Sequence, residues 1–171
     1  MFSIEVCKVP ENSFLASYAI GGNYTDSYCT SIAREVSLAE FINAFYTTHL
    51  FKLERTILKW GVSMPSTDLD ARQLAVGVTD RFAAWTVEQR DTSELLMCDF
   101  RNRTRSWLKV EPGKGESEIG TQLLFGSAVV QPRAPLSRTS PLGPVFYSLI
   151  GFHKIYSRLL LQGARDNLKD L

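Results

Sequence analysis

The sequence predicts an α+β fold in a single domain that spans residues 1–171. Apolar residues recur at helical spacing between residues 37 and 75 and again after residue 141. Residues 23–32 and 81–131 instead alternate with a period of two, which is typical of strands. The alternating segments of 81–131 follow each other at roughly 10-residue spacing, as in an antiparallel meander, because parallel strands need longer crossovers.

The first 32 residues predict an arm followed by one strand. Residues 1–12 show no periodicity, so we interpret them as an N-terminal arm that leads into the fold. Residues 14–20 are predicted to be a short extended piece that ends at the following glycine pair. Residues 23–32 are rich in β-branched and aromatic residues and predict a strand. One face of this strand carries Tyr24, Asp26, Tyr28 and Thr30.

A pair of short helices is predicted to follow this first strand. Ser37 and Glu40 have the spacing of a capping box, which places the start of a helix that continues to about residue 49. A second helical pattern covers residues 50–59 and ends at Gly61, a residue that commonly follows helix C-termini. The two helices have almost no loop between them, so we expect a V-shaped pair.

A third short helix and four strands complete the middle of the chain. Polar residues at 66–68 are suited to cap a helix that runs to residue 75. Turn residues then separate the four alternating segments of the meander. These predicted strands are residues 81–90, 94–100, 103–111 and 119–131.

The C-terminal segment 141–168 is predicted to be one long helix. Pro144 is suited to the first turn, where its missing N–H has no helical partner. At 1.5 Å per residue, a helix of roughly 24 residues would be about 36 Å long. Its predicted apolar face comprises Val145, Phe146, Leu149, Ile150, Phe152, His153, Tyr156, Leu159 and Leu160. Its predicted water-facing side comprises Tyr147, Gly151, Lys154, Arg158, Gln162 and Arg165.

Several local strings resemble a bacterial family that is known only as a domain of unknown function. The strings are Val9-Pro-Glu-Asn-Ser-Phe-Leu15, Asn23-Tyr-Thr-Asp-Ser-Tyr28 and Gly151-Phe-His-Lys-Ile-Tyr-Ser-Arg-Leu-Leu160. That family is similar in layout to the helix-grip superfamily of START, Bet v 1 and polyketide-cyclase-like proteins. The resemblance implies a curved antiparallel sheet that grips the long C-terminal helix and encloses an apolar cavity. The sequence itself predicts five or six strands, which is fewer than that superfamily usually has.

Charge and cysteine content exclude some classes of protein and favour others. The 19 basic and 18 acidic side chains nearly cancel, whereas a nucleic-acid-binding protein usually has a basic excess. Three scattered cysteines favour reduced thiols and a cytoplasmic location over a disulfide framework. The N-terminus lacks a signal-peptide pattern, and the longest apolar stretch is too short for a membrane span. We therefore expect a soluble cytoplasmic protein without integral membrane association, and the oligomeric state is left open.

No motif predicts a metal or a cofactor. The two histidines, His49 and His153, lie about a hundred positions apart, and no Cys-x-x-Cys or His-x-x-x-His spacing occurs. No Gly-x-Ser-x-Gly motif occurs, and no cysteine has an adjacent base. We therefore predict no cofactor and no metal site.

His153 and Asp26 are the candidate catalytic residues. His153 lies on or beside the apolar face of the long helix, where an imidazole could meet a ligand or act as a base. The alternative is a histidine at the edge of the core that bonds a backbone carbonyl. Asp26 is the nearest carboxylate candidate, and Tyr156, one turn after His153, could share its partner. No sequence argument brings Asp26 and His153 together.

A cavity, if present, is expected to be mostly apolar with a few placed polar groups. Thr104 and Ser106 are predicted to point inward from the third meander strand. The residues expected to line the cavity are Trp85, Phe125, Phe152, His153, Tyr156, Thr104 and Ser106.

The opposite face of that strand carries Arg101, Arg103, Arg105, Trp107 and Lys109. It could grip phosphate or carboxylate, with the indole as a stacking platform. The favoured interpretation is a solvated outer face, where arginine stems lie across the tryptophan.

These observations favour a protein that binds a small hydrophobic or amphipathic ligand between the sheet and the long helix. One alternative is a cyclase- or hydratase-type enzyme that uses His153 with Asp26 or Tyr156 for acid–base chemistry. Another is a protein-interaction module with a fully packed core, which would contain no void.

Overall fold

The computed structural model describes residues 4–20, 23–53, 55, 65–113, 120–130 and 144–169, with only the backbone for 144–151. Seven strands in this part of the chain form one antiparallel sheet in the order β1-β2-β7-β6-β5-β4-β3. The strands are Glu5–Val6 (β1), Tyr24–Ile32 (β2), Arg81–Phe82 (β3), Trp85–Arg90 (β4), Glu94–Asp99 (β5), Thr104–Pro112 (β6) and Thr121–Val129 (β7). The helices are Ala16–Ile20 (α1), Leu38–Tyr46 (α2), Asp68–Ala75 (α3) and Pro144–Lys169 (α4), and residues 49–53 are also helical.

The α+β class and the meander are confirmed, with two changes at the edges of the sheet. The central strands agree with the predicted ones to within a few residues. The predicted strand 81–90 is wrong as a single element, because Ala83 has a positive φ of 50° and the chain turns there. The predicted arm is also more structured than expected, since β1 pairs with β2.

The capping box predicted for the first helix is confirmed. The Oγ of Ser37 accepts a hydrogen bond from the N–H of Glu40 at 3.2 Å, and the Glu40 carboxylate accepts from the N–H of Ser37 at 2.8 Å. Thr67 and Asp70 form a second capping box at the start of α3. Half of the second helix predicted at 50–59 lies outside the described residues, so the helix pair stays a prediction.

One face of the sheet is covered by helices. α4 packs on α2, β2 and β7, and α2 packs on α3. The core between these layers is rich in aromatic rings, and Phe45 lies with its ring centroid 4.7 Å from that of Phe125 on β7. This packing covers the side of the long helix that carries Leu160 and Leu161. Among the described residues, no helix is both long and apolar enough to cross a bilayer.

The long helix starts at Pro144 as predicted, but the side that it turns toward the core matches the predicted face only in part, with Leu160 buried as expected. Residues 141–143 lie outside the described residues. Phe152 and Leu159, which were expected to face inward, are 67% and 55% exposed. Arg165 was expected to face water but is buried, and its Nη1 donates to Thr30 Oγ1 at 3.1 Å. The prediction was wrong because apolar residues occur on several sides of this helix, so periodicity alone does not orient it. The side that is buried carries Ser157, Leu160, Leu161, Ala164, Arg165 and Leu168.

The other face of the sheet is covered by the N-terminal segment, not by water. Residues 14–20 were predicted to be extended, but α1 and the turn before it pack there with Leu15 fully buried. Trp107 is 0% exposed in the same small core, so the prediction of a solvated outer face is wrong at this position. The indole is too large and apolar to remain in water when a neighbouring segment can cover it.

Two charged side chains of this second layer bond to the covering segment and are also ion-paired among the strands, Glu94 with Lys109 at 3.4 Å and Arg105 with Glu88 at 2.6 Å. Glu94 is buried, and its Oε2 accepts from the N–H of Phe14 at 2.9 Å and from Trp107 Nε1 at 2.6 Å. Arg105 is also buried, and its Nε donates to Tyr18 Oη at 2.8 Å. These hydrogen bonds hold residues 14–18 against the strands of the meander.

Candidate functional site

A cavity of about 220 Å³ lies between the sheet and α4. Its wall is mostly aromatic and aliphatic, with hydroxyl groups and one imidazole on the side of β6, β7 and α4. Small-molecule sites in proteins commonly combine a mostly apolar wall with a few polar groups in this way. The lining comprises Phe45, Phe51, Trp85, Thr104, Arg105, Ser106, Phe125, Ser127, Ala128, Val129, His153, Tyr156 and Leu160.

The structure brings together six of the seven residues that were expected to line a cavity. Phe152 is the exception, because its side chain is 67% exposed and lies outside the cavity wall. Its ring instead stacks on Tyr156, with the centroids 6.0 Å apart. The six that do line it are Trp85, Phe125, His153, Tyr156, Thr104 and Ser106.

Asp26 and His153, the two candidate catalytic residues, meet at the wall of this cavity through Ser127. Ser127 Oγ lies 2.5 Å from Asp26 Oδ1 and 2.7 Å from His153 Nε2. The direct distance between His153 Nε2 and Asp26 Oδ2 is 3.6 Å. Ser157 Oγ lies a further 3.5 Å from the same imidazole nitrogen. A continuous polar chain therefore connects a carboxylate behind the wall to an imidazole in it.

The register of the sheet explains why Asp26 and Ser127 lie next to each other. Asp26 on β2 and Ser127 on β7 are directly opposed in the antiparallel ladder, so their side chains project from the same face. His153 reaches them from α4, which packs against β2 and β7. The sequence shows neither the pairing of β2 with β7 nor the rotation of α4, and both are needed to bring these residues together.

Asp26 is a buried carboxylate that is held in its ionised form. Burial raises the pKa of Asp26, but the hydrogen bonds of His153 and Ser127, the charge of the imidazole and the hydroxyl of Tyr24 outweigh it, so the pKa lies below its ordinary value. The hydroxyls of Tyr24 and Tyr28 donate to Asp26 Oδ2 at 3.1 and 3.3 Å. Burial and the neighbouring Asp26 charge in turn raise the pKa of Tyr28 to about 12, so both tyrosines stay protonated as donors.

The hydrogen-bond inventory assigns the proton on His153. An ionised carboxylate only accepts, so the single hydroxyl proton of Ser127 is donated to Asp26. Ser127 Oγ can then only accept from the imidazole, so His153 Nε2 carries a hydrogen. In the neutral imidazole the lone pair is therefore on Nδ1, the atom that could accept a proton. His153 is 35% exposed at its side chain, whereas Asp26 is 8% exposed.

Some residues of the site escaped sequence reasoning although a signal for them was present. Ser127 follows Phe125 at strand spacing, so it shares the inward face that was assigned to that ring. Tyr24 and Tyr28 share the face of Asp26, but their role as its donors required the tertiary contacts. Phe45 and Phe51 line the cavity from helical segments whose orientation the sequence does not fix.

The described residues contain no group of three histidine, cysteine or acidic side chains suited to hold a metal ion. Comparison with known proteins gives no match with a family profile, a curated protein or a solved structure.

Proposed function

We propose that this protein binds a small amphipathic molecule in the cavity between the sheet and α4. The single observation that carries the proposal is the pairing of an aromatic cavity with one polar edge, formed by Ser127 and His153. An apolar cavity of roughly 150 Å³ accommodates benzene, so 220 Å³ suits a ligand of about nine heavy atoms. The presence of this cavity also weighs against the alternative of a fully packed interaction module.

The polar edge favours a neutral ligand with one hydroxyl or carbonyl group. The charge of Asp26 is already satisfied by three hydroxyl donors, and the other polar groups of the wall include the hydroxyls of Thr104 and Ser106. Arg105 in the wall is already ion-paired with Glu88 at 2.6 Å, so an ionised ligand would lose its hydration without an opposite charge that is free to pair with it. The arrangement of sheet and helix is in keeping with a helix-grip protein, in which this space is the ligand site.

Native mass spectrometry of the gently purified protein, with solvent extraction of any bound molecule, tests the proposal. We expect a stoichiometric extra mass, or binding of benzyl alcohol that is tighter than binding of toluene. Ser106→Leu fills the cavity from β6 and should abolish this binding. Ser17→Leu places the same side chain on an exposed position of α1 and should leave it unchanged. Equal binding by the two variants would contradict the proposal.

A second candidate is acid–base catalysis by His153 on the bound molecule, as in a cyclase or hydratase. The hydrogen-bonded chain from Asp26 through Ser127 favours it, because the chain orients the imidazole and leaves Nδ1 as the atom that can take a proton. His153→Ala separates the two candidates. Both candidates predict that this variant still carries the ligand mass. Only an enzyme would also lose the conversion of the ligand, which is measured by mass spectrometry of the extracted molecule.

A further inference from the structure

The outward side of α4 carries three large apolar side chains in a row. Phe152, Ile155 and Leu159 are 67%, 62% and 55% exposed. Their spacing of three and four residues places them on one side of the helix over about 10 Å. We call these three residues the apolar stripe. A surface helix normally turns such residues inward, so an exposed row of them indicates that this side meets something other than water.

Basic side chains border the apolar stripe. At about 100° per residue, Arg158 lies about 60° and Lys154 about 100° around the helix from Ile155, both on the same flank of the stripe, and residues 152–161 contain no aspartate or glutamate. Both cations also line a groove of about 520 Å³ that extends from α4 to the N-terminal strand, where Val6 is 65% exposed. Asp26 lines the same groove, but it is 8% exposed and its charge is held by internal donors. The accessible charge of this face is therefore positive.

The size of the apolar stripe distinguishes between possible partners. Since a large apolar side chain presents roughly 200 Å² when fully exposed, the stripe offers on the order of 350–400 Å². A stable protein–protein interface buries about 800 Å² on each partner. A second copy of the chain would also place Lys154 and Arg158 opposite a like-charged face. A lipid surface needs neither a large area nor a matching shape, and it combines apolar depth with anionic head groups.

We propose that the apolar stripe, with Lys154 and Arg158, docks the protein on the surface of an anionic lipid bilayer. Phe152, Ile155 and Leu159 enter the boundary between head groups and acyl chains, and the two cations contact the head groups. The docked face adjoins the cavity, because Tyr156 lines the cavity and stacks on Phe152. An amphipathic ligand could then pass between the bilayer and the cavity over a short distance.

Co-sedimentation with vesicles tests this proposal. Vesicles that contain phosphatidylglycerol are compared with vesicles of pure phosphatidylcholine, at low and high salt. We expect binding to the anionic vesicles that weakens with salt. Ile155→Ser should weaken it about tenfold, because burial of a large side chain is lost. Lys154→Glu should weaken it about tenfold or more, because an attractive charge at the surface becomes repulsive.

Two variants on other parts of the surface serve as matched controls. Val78→Ser removes an apolar side chain that is 73% exposed, and Arg81→Glu reverses an exposed charge; both should bind the vesicles as the unmodified protein does. Equal loss of binding in the controls would overturn the proposal, as would failure to bind or equal binding to pure phosphatidylcholine. Sedimentation equilibrium tests whether the stripe instead binds a second copy of the chain. If the protein does not bind vesicles but forms a dimer that Ile155→Ser dissociates, the stripe is a dimer interface and the proposal is overturned.

Discussion

Replacement of Asp26 by asparagine tests whether the buried carboxylate organises the candidate site. The carboxylate accepts from Tyr24, Tyr28 and Ser127, at distances of 2.5–3.3 Å. An asparagine has one acceptor oxygen, and its amide group would face a hydroxyl donor. A hydrogen bond to a charged group contributes about 1.5–3 kcal/mol, so the loss of one or two predicts a destabilisation of roughly 2–4 kcal/mol.

The difference in stability between the original protein and Asp26→Asn depends on pH, because the pKa of Asp26 is lowered in the folded state. A carboxylate whose pKa is lower in the folded than in the unfolded state stabilises the fold above the unfolded value of about 3.9. That contribution is lost as the pH falls through the folded pKa. The difference between the original protein and Asp26→Asn should therefore be full at neutral pH and should shrink at acidic pH.

Urea unfolding followed by tryptophan fluorescence measures both effects. At a slope of about 2 kcal/mol per molar urea, the midpoint should fall by roughly 1–2 M at neutral pH. Asp166→Asn is the matched control, because Asp166 also has a lowered pKa, yet its side chain is 51% exposed and pairs with an exposed Lys169. Its cost should be below about 1 kcal/mol. The reasoning is refuted if Asp26→Asn costs no more than the control, or if its cost is unchanged in acid.

Three further substitutions test the packing that positions the site, each measured as the free energy of unfolding. Glu94→Ala should cost roughly 2–5 kcal/mol, because it leaves the Trp107 indole N–H and a backbone N–H buried without their acceptor. Gly126→Ala should cost about 1–3 kcal/mol or more, since its Cβ would lie 2.6 Å from Leu15 Cδ2 and 2.8 Å from a backbone oxygen of β2. Ser37→Ala should cost about 1 kcal/mol, because the capping box of α2 loses its hydroxyl.

Each of these has a control within the chain. Glu94→Gln retains an acceptor oxygen and should cost clearly less than Glu94→Ala. Gly163→Ala, in α4, brings its Cβ no closer than 3.2 Å to a side-chain methyl of Thr48 and adds helix propensity, so it should be milder than Gly126→Ala. Ser17→Ala removes only an exposed hydrogen bond to the carbonyl of Phe14 at 3.0 Å and should cost clearly less than Ser37→Ala. An equal cost within any of the three pairs would contradict the corresponding contact.

Local chemistry was readable from the sequence wherever it depends on neighbours along the chain. The capping box at Ser37 and Glu40 was confirmed because its hydrogen bonds span three residues. The central strands were confirmed because alternation is set by the pleat, and the inward positions of Thr104 and Ser106 follow from the same period.

Sequence reasoning failed where a segment had two possible partners. The face of Trp107 could meet water or another segment, and only the folded chain places residues 14–18 over it. The long helix has apolar residues on several sides, and the helix and strands beneath it select the side that includes Leu160 and Leu161, which leaves Phe152 outside. Periodicity predicts that a helix has an apolar face, whereas tertiary packing decides which side of the helix is buried.

The candidate site shows the same division. The sequence by itself determined that Asp26 lies on one strand face with two tyrosines, and that His153 lies on a long helix. Only the tertiary structure decided that they meet, because the pairing of β2 with β7 places Ser127 opposite Asp26 and the packing of α4 brings the imidazole to 2.7 Å from its hydroxyl. More than a hundred residues separate Asp26 from His153 along the chain. Contacts over such separations depend on strand register and helix rotation, and neither is encoded in any short stretch of sequence.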